Sequence, residues 1–151
     1  MTATPIVRAC AHEDFDELVA RWHATNRASY PYCAEQQRHT LDDARGFFRG
    51  QILGRCRVFV AAEADELVGV IALDAPWVRA LAVFPEAQRR GIGSALLREV
   101  RAHSPAELRL FTYRRNAPAR AFYRRHGFVA VGFGISPAPE REPDVEYRWR
   151  A

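Results

Sequence analysis

Apolar and polar residues alternate along the chain with two different periods, and each change of period marks an element. Ile6-Val7-Arg8-Ala9-Cys10 is short and apolar, a first strand. After His12-Glu13-Asp14 the spacing becomes helical, with Phe15, Leu18, Val19 and Trp22 on one face. Glu13 and Asp14 suit the positive end of that helix. Tyr30-Pro31-Tyr32 stops it, because the residue before a proline avoids helical backbone. Thr40 with Asp43 resembles a capping box, with Asp in place of the usual Glu or Gln. It starts a second helix whose buried face is Phe47, Phe48 and Ile52 and which Gly54 ends.

Two β-rich runs follow, Arg57–Ala62 and Leu67–Leu73, joined by Glu63-Ala64-Asp65-Glu66 as a hairpin turn. A third, Trp77–Phe84, stops at Pro85. Leu96, Leu97 and Val100 mark a helix beginning near Gly91, and Leu108–Phe111 is a strand. Ala117–His126 is a helix with Asn116 at its cap and Gly127 past its end. Phe128–Phe133 and Val145–Trp149 are the last two strands. Three consecutive strands imply antiparallel neighbours. The strand–helix–strand step from 77 to 111 implies a parallel pair with a right-handed crossover. The expectation is an α+β fold, a mixed sheet with helices to cover both faces.

Composition narrows the class. A chain of 151 residues suggests a single domain, 1–151. The balance of 48% hydrophobic and 26% charged residues excludes a disordered tail, a collagen-like repeat and a disulfide miniprotein. No apolar run approaches the roughly 18 residues of a membrane span, and Met1–Cys10 lacks the pattern of a signal peptide. The expected compartment is the cytoplasm, with no membrane partner. Cys10, Cys33 and Cys56 form no CxxC pair, so they read as plain thiols. The histidines show no ligand spacing, so no metal is expected. All 22 basic residues are arginine, which the coding genome alone can produce, although guanidinium also matches phosphate bidentately. The net charge of +4 is too modest to argue for nucleic acid.

The segment richest in chemistry is Leu81-Ala82-Val83-Phe84-Pro85-Glu86-Ala87-Gln88-Arg89-Arg90-Gly91-Ile92-Gly93-Ser94-Ala95-Leu96-Leu97. A strand runs into a short loop, and two glycines open a helix. Such a loop aims several backbone N–H groups at one point, and the helix start adds roughly half a positive charge. Arg89 and Arg90 add side-chain charge. This suits pyrophosphate. A P-loop is excluded because the chain has no lysine, and the dinucleotide fingerprint fails at its third place, which is Leu96.

These residues resemble the GNAT superfamily of acyl-CoA-dependent N-acyltransferases. Gln88 to Gly93 matches its Gln/Arg-x-x-Gly-x-Gly/Ala motif, and Asn116, Tyr123 and Gly127-Phe128 match a second signature in the right order. The resemblance implies a three-layer fold with about seven mostly antiparallel strands, splayed between the fourth and fifth. It implies acetyl-CoA as co-substrate, its pantetheine arm paired with the backbone of Leu81, Ala82 and Val83. An N–H at Val83 would stabilise the oxyanion. Gln88, Arg89, Arg90, Gly91, Ile92, Gly93 and Ser94 would wrap the pyrophosphate, and Asn116 would hydrogen-bond the cofactor. Tyr123 would aim its hydroxyl at the thioester sulfur.

Tyr123 also makes chemical sense, since a phenol with a reference pKa of about 10 can protonate a departing thiolate. The base is left open. Some members carry a Glu where this chain has Phe111; Glu63, Asp74, Glu140, Glu142 or water alone could serve. On the acceptor side the candidates are Trp22, Asn26 and Tyr30, with Tyr32 and His39, facing Glu140 to Asp144. Glu140 and Glu142 would favour a cationic amine on a small molecule or peptide. The rival reading is a CoA-binding sensor or regulatory module without turnover. The family resemblance is also compatible with a homodimer.

Overall fold

The computed structural model of the chain describes residues 4–151; Met1–Ala3, the start of the segment read for a leader, lie outside them. The strands are β1 (Ile6–Ala9), β2 (Arg57–Glu63), β3 (Glu66–Asp74), β4 (Trp77–Val83), β5 (Glu107–Tyr113), β6 (Val129–Ile135) and β7 (Pro143–Arg150). The helices are α1 (Phe15–Ser29), α2 (Ala34–Arg38), α3 (Leu41–Phe47), α4 (Ile92–His103) and α5 (Ala117–Arg125). One seven-stranded sheet runs β1-β2-β3-β4-β5-β7-β6. Every neighbouring pair is antiparallel except β4–β5, which is parallel.

Each face of the sheet carries its own core. On one side α1 and the turn that follows α3 bury Leu18, Val19 and Phe48 against Val60 and Val70. On the other, α4 brings Leu96, Leu97 and Val100 onto Ile71 and Leu108. β3 is covered on both faces, which is why Leu67-Val68-Gly69-Val70-Ile71-Ala72-Leu73 reads as an unbroken apolar run. Among the described residues, no helix is long and apolar enough to cross a membrane.

The sequence pattern locates these elements with two departures. Helix α2 was not expected, since five residues are too few to show a period and none of them is buried. The capping box at α3 is made, with Asp43 N–H donating to Thr40 Oγ1 at 3.1 Å and Thr40 N–H to Asp43 Oδ2 at 2.8 Å. Beyond Phe47 the helix widens into a π-type turn, Phe48–Leu53. That turn keeps Phe48 and Ile52 buried but leaves Phe47 41% exposed. Phe47 therefore does not belong to the core; it stacks flat on Trp22, 5.5 Å between ring centroids.

The feature that shapes the site is the parting of β4 from β5. They pair only at Trp77 and Arg109, where Arg109 N–H donates to Pro76 O at 2.8 Å. Leu73 faces Val78 and Ala72 faces Ala80, so Arg79 is an extra residue on β4. Such a bulge bends its strand. β5 cannot follow, because it is paired with β7 along its whole length from Glu107 to Tyr113. The two strands diverge and leave a gap in the middle of the sheet.

Candidate active site

The gap is lined by backbone. Phe84 N–H donates to Val68 O on the β3 side at 2.9 Å. Backbone groups alternate sides along a strand, so Ala82 points with Phe84 toward β3, while Leu81 and Val83 point into the gap. The expectation that three consecutive residues pair with an extended ligand is corrected here: Ala82 is spoken for. Gln88 Nε2 donates to Val83 O at 3.0 Å, which ties the following loop to the strand end and leaves the Val83 N–H as its open group.

That loop leads into α4. Arg89 and Gly91 both adopt left-handed backbone, with φ of +67° and +80°. A glycine is at ease there and an arginine is not. The first α4 bond runs from Ala95 N–H to Gly91 O at 3.1 Å. The N–H groups of Ile92, Gly93 and Ser94 precede it and have no acceptor in the helix. These donors, at the positive helix end beside exposed Arg89, fit a diphosphate.

Not every residue of the motif serves that end in the expected way. Arg90 is turned aside: Nη1 lies 3.2 Å from Glu63 Oε1 and Nη2 donates to Glu86 O at 3.0 Å. The Ile92 side chain is in the core, so it offers only backbone. A Cβ on Gly93 would meet the Phe122 ring at 3.0 Å, so that glycine lets α4 and α5 approach closely. Ser94 Oγ lies 3.0 Å from His126 Nε2. Burial, helped by Arg101, Arg125 and Arg98, pushes the His126 pKa below its ordinary value and favours the neutral ring.

Beyond the gap a cleft of about 730 Å³ opens, lined by Leu81, Asn116 and Tyr123 together with Trp22, Asn26 and Tyr30. Asn116 caps α5, its Oδ1 accepting from Ala119 N–H at 3.2 Å. Tyr123 is 8% exposed and packed edge-on against Phe122 and Phe128. Burial, with a smaller contribution from Tyr30, raises the pKa of its hydroxyl, so the phenol stays protonated and acts as a donor. Among the described residues no side chain or backbone group hydrogen-bonds that hydroxyl.

The acceptor side departs from expectation in its acids. Glu140 and Glu142 are absent from the cleft lining. His39 Nε2 is 3.5 Å from Glu140 Oε1, and Arg115 Nε is 3.4 Å from Glu142 Oε2. Asp144 and Glu146 line the cleft instead, with Phe111 and Tyr113 across from them on β5. Tyr113 is fixed by a 2.9 Å hydrogen bond from Gln36 Nε2 and by the edge of Tyr30, 4.9 Å between centroids. Period-two alternation could have found these residues: Asp144 and Glu146 alternate with buried Val145 and Tyr147. Among the described residues, no group of three or more His, Cys, Asp or Glu could hold a metal ion.

A gap in a mixed sheet, a donor-rich helix start beside it and a buried tyrosine in the adjoining cleft are the features that the resemblance to acyltransferases implies. The sequence profile of the acetyltransferase (GNAT) domain matches residues 54–130, just over half of the chain, and the chain belongs to that family. The chain is 29% identical over 127 residues to the peptidyl-lysine N-acetyltransferase YjaB of Escherichia coli strain K12, covering 83% of each. It is 27% identical over 127 residues to the peptidyl-lysine N-acetyltransferase YiaC of the same organism, covering 83% of this chain and 84% of that one. The solution structure of apo YjaB from Escherichia coli superposes with a TM-score of 0.80 at 24% identity, covering 97% of each chain. The PaiA N-acetyltransferase of Thermoplasma acidophilum, solved in complex with coenzyme A, gives 0.74 at 18% identity, covering 98% of this chain and 99% of that one. At these identities the structures speak for the fold.

Proposed function

We propose that the chain, as one domain, transfers the acetyl group of acetyl-CoA to a primary amine of a small molecule or peptide by direct attack in a ternary complex. The observation that carries this reading is the convergence in one cleft of the Leu81 backbone, facing the gap, and the Tyr123 phenol. The pantetheine amides of acetyl-CoA would pair with Leu81 and Val83 as an added strand, and its diphosphate would meet the N–H groups of Ile92, Gly93 and Ser94. Arg89 and Asn116 would complete that binding. Leu81, which unlike Val83 lines the cleft, is the better placed of the two N–H donors for the oxyanion.

The amine nitrogen forms a bond to the acetyl carbon, and the C–S bond breaks with its electron pair going to sulfur. Tyr123 gives its proton to that sulfur and recovers one from the nitrogen, so it ends as it began. Cys10, Cys33 and Cys56 are not among the cleft residues, which favours direct transfer over an acyl-enzyme. The names of the relatives YjaB and YiaC support the ε-amine of a peptide lysine as the first acceptor to try. Three unpaired thiols suit the reducing cytoplasm, where acetyl-CoA is available.

The test is thiol release from acetyl-CoA with lysine peptides and a panel of small amines. Amine-dependent release that collapses in Tyr123→Phe supports the reading. Tight CoA binding with no release for any amine would instead make the protein a sensor of the cofactor.

A further inference from the structure

Four carboxylates stand close together near the end of the chain, and three of them have cationic partners. Glu140 has His39 at 3.5 Å, Glu142 has Arg115 at 3.4 Å and Glu146 has Arg109 at 3.0 Å. Asp144 is the exception. Among the described residues, no cation lies within ion-pair distance of it and no other residue donates a hydrogen bond to its side chain. It is nevertheless only 7% exposed, and it lines the cleft. Its carboxylate faces the cleft without a cationic partner, and such a group gains when a cation or a proton arrives.

The neighbouring strand leaves this carboxylate open. Asp144 is paired with Gly134 on β6, and a Cβ there would stand 3.5 Å from Asp144 Oδ1. Gly132 stands likewise opposite Glu146. Two glycines at alternate positions therefore remove the side chains that would cover the acids of β7. The groups around Asp144 are Tyr113 and Arg114 from β5 and its end, Glu146 on its own strand, and Tyr30 and Tyr32 behind Tyr113. β6 offers no titratable side chain. Burial outweighs Arg114 and holds the Asp144 pKa above the ordinary carboxylate value.

We propose that Asp144 is the catalytic base, the group that takes the proton from the acceptor's ammonium. This rests on the reading that an amine is acetylated. The ammonium R–NH3+ enters the cleft and passes one proton to Asp144, leaving R–NH2 with its lone pair free. That lone pair forms the C–N bond, and the second proton passes from nitrogen to sulfur by way of Tyr123. The products are the acetamide, the free thiol and one proton, which Asp144 returns to solvent. Glu146 does not compete, because Arg109 already pairs with it at 3.0 Å.

The experiment compares wild type, Asp144→Asn and Gly134→Ala on the best amine of the panel and on its β-fluorinated analogues. Fluorination lowers the basicity of the amine with little change of shape. Asp144→Asn should lower kcat/KM on the order of 10²-fold for the basic amine, the scale of one general base. The loss should shrink toward nothing as the amine becomes neutral at the assay pH. In the variant the acid limb of the kcat/KM profile should move up to the pKa of the amine itself, with CoA affinity by calorimetry unchanged. Gly134→Ala, which alters no charge, should raise the KM of the basic amine several-fold by covering the open side of the carboxylate. An equal loss for every amine, no loss at all, or a loss of CoA binding would overturn the role of Asp144. A wild-type protein that binds CoA and acetylates no amine would overturn the acetyltransfer reading itself.

Discussion

Gly93 on α4 lies directly under the ring of Phe122 on α5, so closely that a methyl group would stand 3.0 Å from the ring edge. The ring cannot retreat freely, because His126 packs against it at 4.5 Å and Tyr123 at 5.4 Å. Gly93→Ala should therefore destabilise the fold by about 1–3 kcal/mol, the usual cost of overpacking. Phe122→Leu in the same chain should recover part of that loss. Urea unfolding of the two single variants and the double variant measures the coupling, and strictly additive losses would show that the contact is not under strain.

Tyr123→Phe removes one hydroxyl from a packed ring. Turnover should fall by about 10²-fold or more, the scale of a single general acid. CoA affinity and thermal midpoint should barely move, because the ring contacts remain. Steady-state kinetics beside calorimetry separates these effects.

The Arg90–Glu63 pair should act as one unit. Arg90 is tied to Glu63 and to the Glu86 carbonyl, so in the proposed complex it would act on CoA by fixing the loop. Arg90→Gln and Glu63→Gln should weaken CoA by similar, few-fold factors, and the double variant should be no worse than either. Arg89→Ala, which removes an exposed cation, should instead add to both. Titration calorimetry of the variant set decides between these patterns.

Stability should decline in mild acid, in part through His126. Its folded-state pKa lies below the ordinary 6.5, so between those two values the unfolded chain binds a proton that the folded chain does not. Stability from this group is complete above about 6.5 and is lost as the pH falls below it, until the folded state is protonated as well. His126→Gln should flatten that part of the curve. Unfolding free energies measured across the acid range for both proteins test the slope.

Strong periodicity made most of the fold legible in advance. The β3 run, the apolar face of α4 and the Thr40–Asp43 cap all read directly from residue order. The order of residues between Gln88 and Ser94 likewise shows a loop that opens a helix at its glycines. What could not be read was whatever depends on a partner distant in sequence or on a one-residue shift. Nothing in Trp77-Val78-Arg79-Ala80 marks Arg79 as a bulge. The direction of the Ala82 backbone follows from pairing with β3, and the diversion of Arg90 follows from where Glu63 ends β2. In sequence the whole run from Glu140 to Asp144 stands on the acceptor side, yet only the start of β7 at Pro143 settles which acids face the cleft.

The bulge at Arg79 has a further physical consequence. By pushing β4 off β5 it leaves the sheet one strand short, with the Leu81 and Val83 backbone open along one bank. A ligand with amides along its length can be that strand, and its arrival would knit two half-sheets into a single mechanical unit. The empty protein should then breathe along this seam. Amide exchange at Leu81 and Val83 should be fast in the free protein and slow once the seam is closed, and the midpoint of melting should rise with ligand concentration. The proposed seat of catalysis lies along that seam.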